Sequence, residues 1–232
     1  MPRQSVWKGS LWITNTGGQA EFLRAPTVRR YGSQIFGLTD SDTLRQSHSM
    51  VITFCNQKGG VGKTTLSVLI ALALSEAGRK VAIRDRDPQG SAGISLEDSE
   101  VLIYPAEAEI VIIDTPPTIS DAFREAVRDA DKVILVASPY PVDLWASKTT
   151  ADEINRVCGT EQKTRILFNR VRKRTTFGDQ DLSEIAGKIG LPSCKNVISL
   201  RESYAQAHVA GWKALPAQQR DEIFTVALEI VT

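Results

Sequence analysis

At 232 residues, with 42% apolar and 24% charged side chains, the chain has the size and composition of one globular domain, or of one domain with an arm. A net charge of +1 excludes a global field for nucleic acid, so any basic patch must be local. The cysteines Cys55, Cys158 and Cys194 are widely spaced and form no C-x-x-C. That argues against a disulfide framework, a zinc site or an iron–sulfur cluster, and for a reducing cytosol.

Residues 1–49 differ from the rest: six Lys/Arg against three acids give a net of +3, leaving −2 for residues 50–232. This N-terminal extension reads either as a flexible arm or, in "SLWITNTGGQAEFLRA", as a hairpin around Gly17–Gly18. From residue 50 short β-branched runs alternate with amphipathic stretches. Strands are expected at 50–55, 80–85, 101–104, 109–114, 132–137, 164–169 and 195–199. Helices are expected at 63–77, 119–130, 143–157, 180–189, 201–210 and 216–230. The alternation implies an α/β fold, a doubly wound, mostly parallel sheet with helices on both faces. Ligands of such sheets sit beyond the carboxyl ends of the strands. The longest apolar run, "LSVLIALAL" (66–74), is too short to span a bilayer and reads as a buried helix. No signal-peptide pattern opens the chain, so the protein is expected to be soluble and cytoplasmic.

Between the first strand and the first helix lies "NQKGGVGKTT" (56–65), the context a phosphate-binding loop requires. Gly59, Gly60, Val61, Gly62, Lys63, Thr64 and Thr65 form the expected nucleotide-binding loop. Its glycines let backbone N–H groups turn toward phosphate oxygens, and the helix opening near Lys63 adds its positive end. Lys63 would reach the β- and γ-phosphates, and the Thr64 hydroxyl would ligate Mg²⁺. The general G-x-x-x-x-G-K-[ST] pattern is not met, because its first glycine falls on Gln57.

Instead a second lysine, Lys58, opens the glycine run. K-G-G-x-G-K-T-T resembles the deviant Walker A loop of the ParA/MinD family of P-loop ATPases. The resemblance implies ATP and Mg²⁺ as ligands and an ATP-bound homodimer, with Lys58 crossing the interface to the partner's nucleotide as a catalytic lysine. "RDRDPQG" (84–90) resembles the family's switch I, which makes Asp87 the residue orienting the attacking water and puts Asp85 near the metal. "EIVIIDTPP" (109–117) resembles Walker B and switch II, with Asp114 holding Mg²⁺. Two departures stand out. Arg84 and Arg86 occupy positions that are usually apolar; in a strand, Arg84 should pair with an acid or turn outward. Only 26 residues separate Asp87 from Asp114, which implies a trimmed peripheral helix.

"ASPYPVDLWASKTTADEI" and "RILFNRVRKRT" are similar to the small ParF-type partition ATPases, and the resemblance places Asn169 against adenine. The stretch 163–174 holds six basic residues and no acid. Family members bind DNA nonspecifically, so Arg170, Arg172, Lys173, Arg174 and Arg201 become candidate DNA contacts. The C-terminal "QQRDEIFTVALEIVT" is too acidic for a lipid-bound helix, so no membrane partner is expected. The implied function is an ATP-dependent partition or positioning ATPase on nucleoid DNA, segregating plasmid, chromosome or other cargo with a ParB-like adaptor. The competing readings are a nucleotide-gated scaffold on DNA or protein with negligible turnover, and a metabolic P-loop ligase of the same fold.

Overall fold

The computed structural model describes residues 5–7, 10–14, 20–24, 49–87, 92, 96, 99–104, 106–159, 163–172, 175 and 181–232. The chain divides into two units, Met1–Gly37 and Leu38–Thr232. In the first, β1 (Ser5–Trp7), β2 (Ser10–Thr14) and β3 (Ala20–Arg24) form an antiparallel sheet. Thr14 faces Ala20 across the β2–β3 pair, on either side of Gly17–Gly18, which lie outside the described residues. The boundary expected at 49/50 adjoins residues 25–48, which also lie outside them.

The second unit is built on six parallel strands in the order β6-β5-β7-β4-β8-β9. They are β4 (Met50–Cys55), β5 (Val81–Asp85), β6 (Leu102–Ile103), β7 (Ile110–Asp114), β8 (Lys132–Ala137) and β9 (Thr164–Phe168). The chain winds out from β4 to β5 and β6, returns to β7 beside β4, then crosses to β8 and β9 on the other side. That reversal creates the crevice at the carboxyl ends where such sheets bind ligands.

Strand alternation divides the buried side chains into two cores. Ile52, Phe54, Ile110 and Ile112 point to one face, and Val51, Cys55, Val111 and Ile113 to the other. The first face is covered by α1 (Lys63–Glu76), with α5 (Glu202–Ala210) and α6 (Ala217–Val231) packed on it. Because α1 is sandwiched between sheet and helices, Leu66 through Leu74 are all buried, as the uninterrupted apolar run requires. The second face carries α2 (Asp121–Asp129), α3 (Pro141–Cys158) and α4 (Leu182–Ile189). The doubly wound parallel sheet is therefore present as expected. Among the described residues no helix is long and apolar enough to cross a membrane.

One expected strand, 195–199, does not form. Cys194 N–H and Ile198 N–H donate to Ile166 and Phe168 of β9, but only isolated bridges result, at Ser193 and Ser199. The reason lies in α6. Glu229 accepts from the backbone N–H of Lys195 (2.6 Å) and Asn196 (2.9 Å) and from the Asn196 amide (2.7 Å), while Glu222 accepts from Ser199 N–H (2.5 Å). Glu229 thus takes the Asn196 N–H that a continuous ladder with β9 would need, and the two carboxylates hold the flanking N–H groups of Lys195 and Ser199 toward α6. Burial alone would raise the Glu229 pKa, yet the three donors outweigh it and hold the carboxyl below its usual range. Such a group stabilises the fold above its unfolded-state value near 4.3, and the contribution is lost as pH falls through the folded value. Glu229→Ala is expected to cost about 1–2 kcal/mol in urea unfolding at pH 7, with the gap to the parent closing below about pH 4. A gap that persists at pH 3 would show that packing, not these bonds, accounts for the loss.

Candidate nucleotide site

The loop from Asn56 to Lys63 leaves the carboxyl end of the central strand β4 and closes onto α1. Gly60 and Gly62 adopt positive φ, 77° and 95°, which an L side chain resists. Gly62 also has no room for one, since a Cβ there would lie 2.4 Å from the Asn169 amide nitrogen. That nitrogen donates to Val61 O at 2.7 Å and so clamps the loop's far end to the end of β9.

The near end is held by Asn56, which sequence reasoning passed over. Its buried amide donates to Val136 O (2.8 Å) and Ser147 Oγ (2.9 Å), and its carbonyl accepts from Lys58 N–H (2.9 Å) and Thr150 Oγ1 (3.2 Å). The one legible signal was an asparagine at a strand end, where a side-chain turn to the residue two positions on is common.

The two lysines go to different places. Lys63 is 7% exposed and opens α1. Burial pushes its pKa down, and the carboxylates of Asp114 and Asp87 and the Cys55 thiol counter that. Lys58 stays half outside, with its Nζ 3.7 Å from Asp143 Oδ1 in the first turn of α3. Asp143 too was missed, because nothing in its local sequence marks it.

Asp114 ends β7 fully buried. Burial pushes its carboxyl up to about 6; the Thr64 and Ser67 hydroxyls and Lys63 hold it down, while the neighbouring Asp85 adds to the rise. Ser67 Oγ lies 3.2 Å from its Oδ1, and its Oδ2 is buried without a hydrogen-bond partner among the described residues. An orphaned buried carboxylate oxygen beside a threonine hydroxyl is the donor set of a hydrated divalent cation. Among the described residues no group of three or more His, Cys, Asp or Glu could hold a metal by itself. The ion would therefore share its shell with phosphate oxygens.

Asp85 sits opposite Asp114 in the β5–β7 register. Its two oxygens accept from Asp87 N–H (2.9 Å) and Ala92 N–H (3.0 Å), fixing the turn that carries Asp87. The guanidinium of Arg84 lies 4.9 Å above the Tyr104 ring, and an aromatic face accepts a cation at low desolvation cost. Arg86 reaches α2 instead. The trimmed segment expected at 88–113 falls partly outside the described residues.

Beside the loop opens a cavity of about 230 Å³ whose lining includes Gly62, Thr65, Asn169, Arg170, Arg201 and Tyr204. The structure thus brings two candidate DNA contacts, Arg170 and Arg201, to the rim of the nucleotide site. Arg170 holds a positive φ of 60°, its N–H capped by the Asn169 side-chain oxygen. Arg172 is exposed, and Lys173 and Arg174 lie outside the described residues.

Residues 52–211 match the model of the CobQ/CobB/MinD/ParA nucleotide binding domain. The chain belongs to that family. Within it, the chain is 30% identical over 187 residues to "Maintenance of carboxysome distribution protein A" of Gloeobacter kilaueensis, covering 73% of this chain and 85% of that one. It is 34% identical over 127 residues to the chromosome-partitioning ATPase Soj of Thermus thermophilus, covering 44% and 51%. Among solved structures, a chain of the MinC:MinD cell division protein complex of Aquifex aeolicus superposes with a TM-score of 0.65 at 16% identity, over 79% of this chain and 96% of that one. The last likeness concerns the fold. The family match makes this a nucleotide-binding domain of the ParA/MinD type, within a group of positioning ATPases.

Proposed function

We propose that the protein is an ATP- and Mg²⁺-dependent positioning ATPase that dimerises on ATP, binds DNA without sequence preference and moves a cargo recognised through an adaptor protein. Lys63 and the N–H groups of residues 59–65 hold the phosphates of the chain's own nucleotide. Thr64 and Asp114 hold Mg²⁺, which when bound neutralises charge on the β- and γ-phosphates. Asp87 orients the attacking water. Asn169 borders the adenine cavity, and Lys58 leaves Asp143 to meet the nucleotide of a second copy. Arg170, Arg172 and Arg201, with Lys173 and Arg174, supply phosphate contacts to DNA, which makes the bound state nucleoid-associated. Plasmid, chromosome or protein-bodied cargo all suit this cycle, and the relative from Gloeobacter favours a protein body.

The observation that carries the reading is the division between the lysines: Lys63 buried in the field of Asp114, and Lys58 held at the surface by one carboxylate. The test is binding to random-sequence duplex DNA with ATP, with ADP and with no nucleotide, at 50 and 200 mM salt. ATP-specific binding that weakens steeply with salt is expected, by about tenfold or more for a handful of phosphate contacts. Binding indifferent to nucleotide would sink the DNA-riding switch and leave a nucleotide-gated protein scaffold.

A further inference from the structure

Arg86 stands between the two aspartates of the β5 end, and each half of the residue grips something different. Its backbone N–H donates to Asp114 O at 2.9 Å. Its side chain, 9% exposed, donates from Nη1 to Ala122 O in the first turn of α2 at 2.8 Å, with the Glu125 carboxylate 3.7 Å away. Between Asp114 and Ala122 lie residues 115–121, the segment that begins Thr115–Pro116–Pro117. A single residue therefore holds both ends of that segment.

The strengths of the two side-chain contacts differ. Glu125 is 54% exposed, and an ion pair at that position contributes little. The bond to the Ala122 carbonyl is made by a guanidinium largely withdrawn from water, and a cation so placed cannot give up its acceptor cheaply. The turn around Arg86 is itself tight, since Asp87 N–H is bonded to Asp85 Oδ1. Displacement of Asp87 must therefore be passed to Arg86, and from Arg86 to both ends of 115–121. On the far side, Arg124 of α2 bonds Glu153 of α3 at 2.5 Å, so α2 is tied to the helix that holds Lys58.

We infer that Arg86 is a positioning residue that makes the Asp85–Asp87 turn and the 115–121 segment move as one unit when nucleotide binds. The inference rests on the reading that Asp87 and Asp114 face ATP and Mg²⁺. It assigns Arg86 no contact with the reacting atoms.

The test compares full-length protein with Arg86→Met, Arg86→Lys and Glu125→Ala. Two readouts are taken, backbone hydrogen exchange without nucleotide and kcat and KM for Mg·ATP. Arg86→Met is expected to speed exchange in peptides spanning 115–122 by about tenfold while β4 and β8 stay protected. It should lower kcat by about tenfold with KM within about twofold, the signature of lost alignment rather than lost binding. Arg86→Lys retains a donor for Ala122 O and should fall between, and Glu125→Ala should match the parent. Unchanged exchange at 115–122 in Arg86→Met overturns the inference, as does normal kcat in a variant with accelerated exchange. If Arg86→Met fails to fold, Arg86→Lys decides: faster exchange confined to 115–122 supports the coupling and parent-like exchange overturns it. A parent protein that hydrolyses no ATP refutes the ATPase reading, and the exchange data then decide the coupling alone.

Discussion

Lys63→Ala should abolish nucleotide binding, while Lys58→Ala should leave binding nearly intact and abolish ATP-dependent dimerisation. Lys63 is 7% exposed and lies in the field of Asp114 and Asp87, so its removal takes from the loop the one buried cation that would meet the phosphates. Removing a buried cation that would bond the phosphates costs about 2–5 kcal/mol, and a loss of about 3 kcal/mol is already more than a hundredfold in ATP affinity. Lys58 makes one long contact, 3.7 Å to Asp143, with both partners in part solvated. Its loss should therefore barely move monomer stability or ATP affinity. In the dimer the same charge would meet a polyphosphate shielded from water, where it is worth far more. Light scattering with ATP and with ADP, alongside titration of a fluorescent nucleotide, separates the two effects. A Lys58→Ala protein that still dimerises with ATP would refute the cross-interface role.

Asp114→Asn should raise the stability of the nucleotide-free protein and destroy its Mg²⁺-dependent activity. The carboxyl is pushed from 3.8 to about 6, first by burial. A carboxylate whose folded pKa lies above its unfolded one costs stability wherever it is ionised. The cost is complete above about pH 6 and vanishes as pH falls below the unfolded value. At pH 8 in EDTA the amide should therefore unfold about 1–2 kcal/mol later than the parent, and the difference should disappear near pH 4. The Thr64 and Ser67 hydroxyls can rotate to accept from the new amide, which keeps the substitution from stranding a donor. With Mg·ATP the order reverses, because the amide is a poor ligand for a hard cation. A variant less stable than the parent at pH 8 would mean that Asp114 is paired more tightly than its orphaned Oδ2 implies.

The sheet was legible because its central strands are short β-branched runs that alternate with longer amphipathic or apolar stretches. The loop's turn was legible because Gly60 and Gly62 take a positive φ that other residues resist. What escaped was held by side chains acting at a distance. The stretch "KNVIS" has strand composition, but its N–H groups go to Glu222 and Glu229, more than twenty residues on, and no local pattern reveals that. Asn56, Asp143, Ser147 and Thr150 lie in segments read correctly as strand end and helix, yet their roles depend on β4 and α3 meeting in space. Arg86 was visible as an anomaly, and its resolution required knowing that α2 lies beside the β5 end.

The two asparagines that bracket the phosphate loop have a further consequence. Asn56 secures its start to β8 and α3, Asn169 secures its end to β9, and every one of these bonds is made to another group of the protein. On the proposed function, nucleotide capture would then not bear the whole entropy of shaping the loop. A loop so held would grip the phosphates common to ATP and ADP alike. Discrimination between them would then fall to side chains beyond the loop's grip, those of Lys58 and Asp87, whose differential contact with a third phosphate would set the largest population shift that nucleotide exchange can drive.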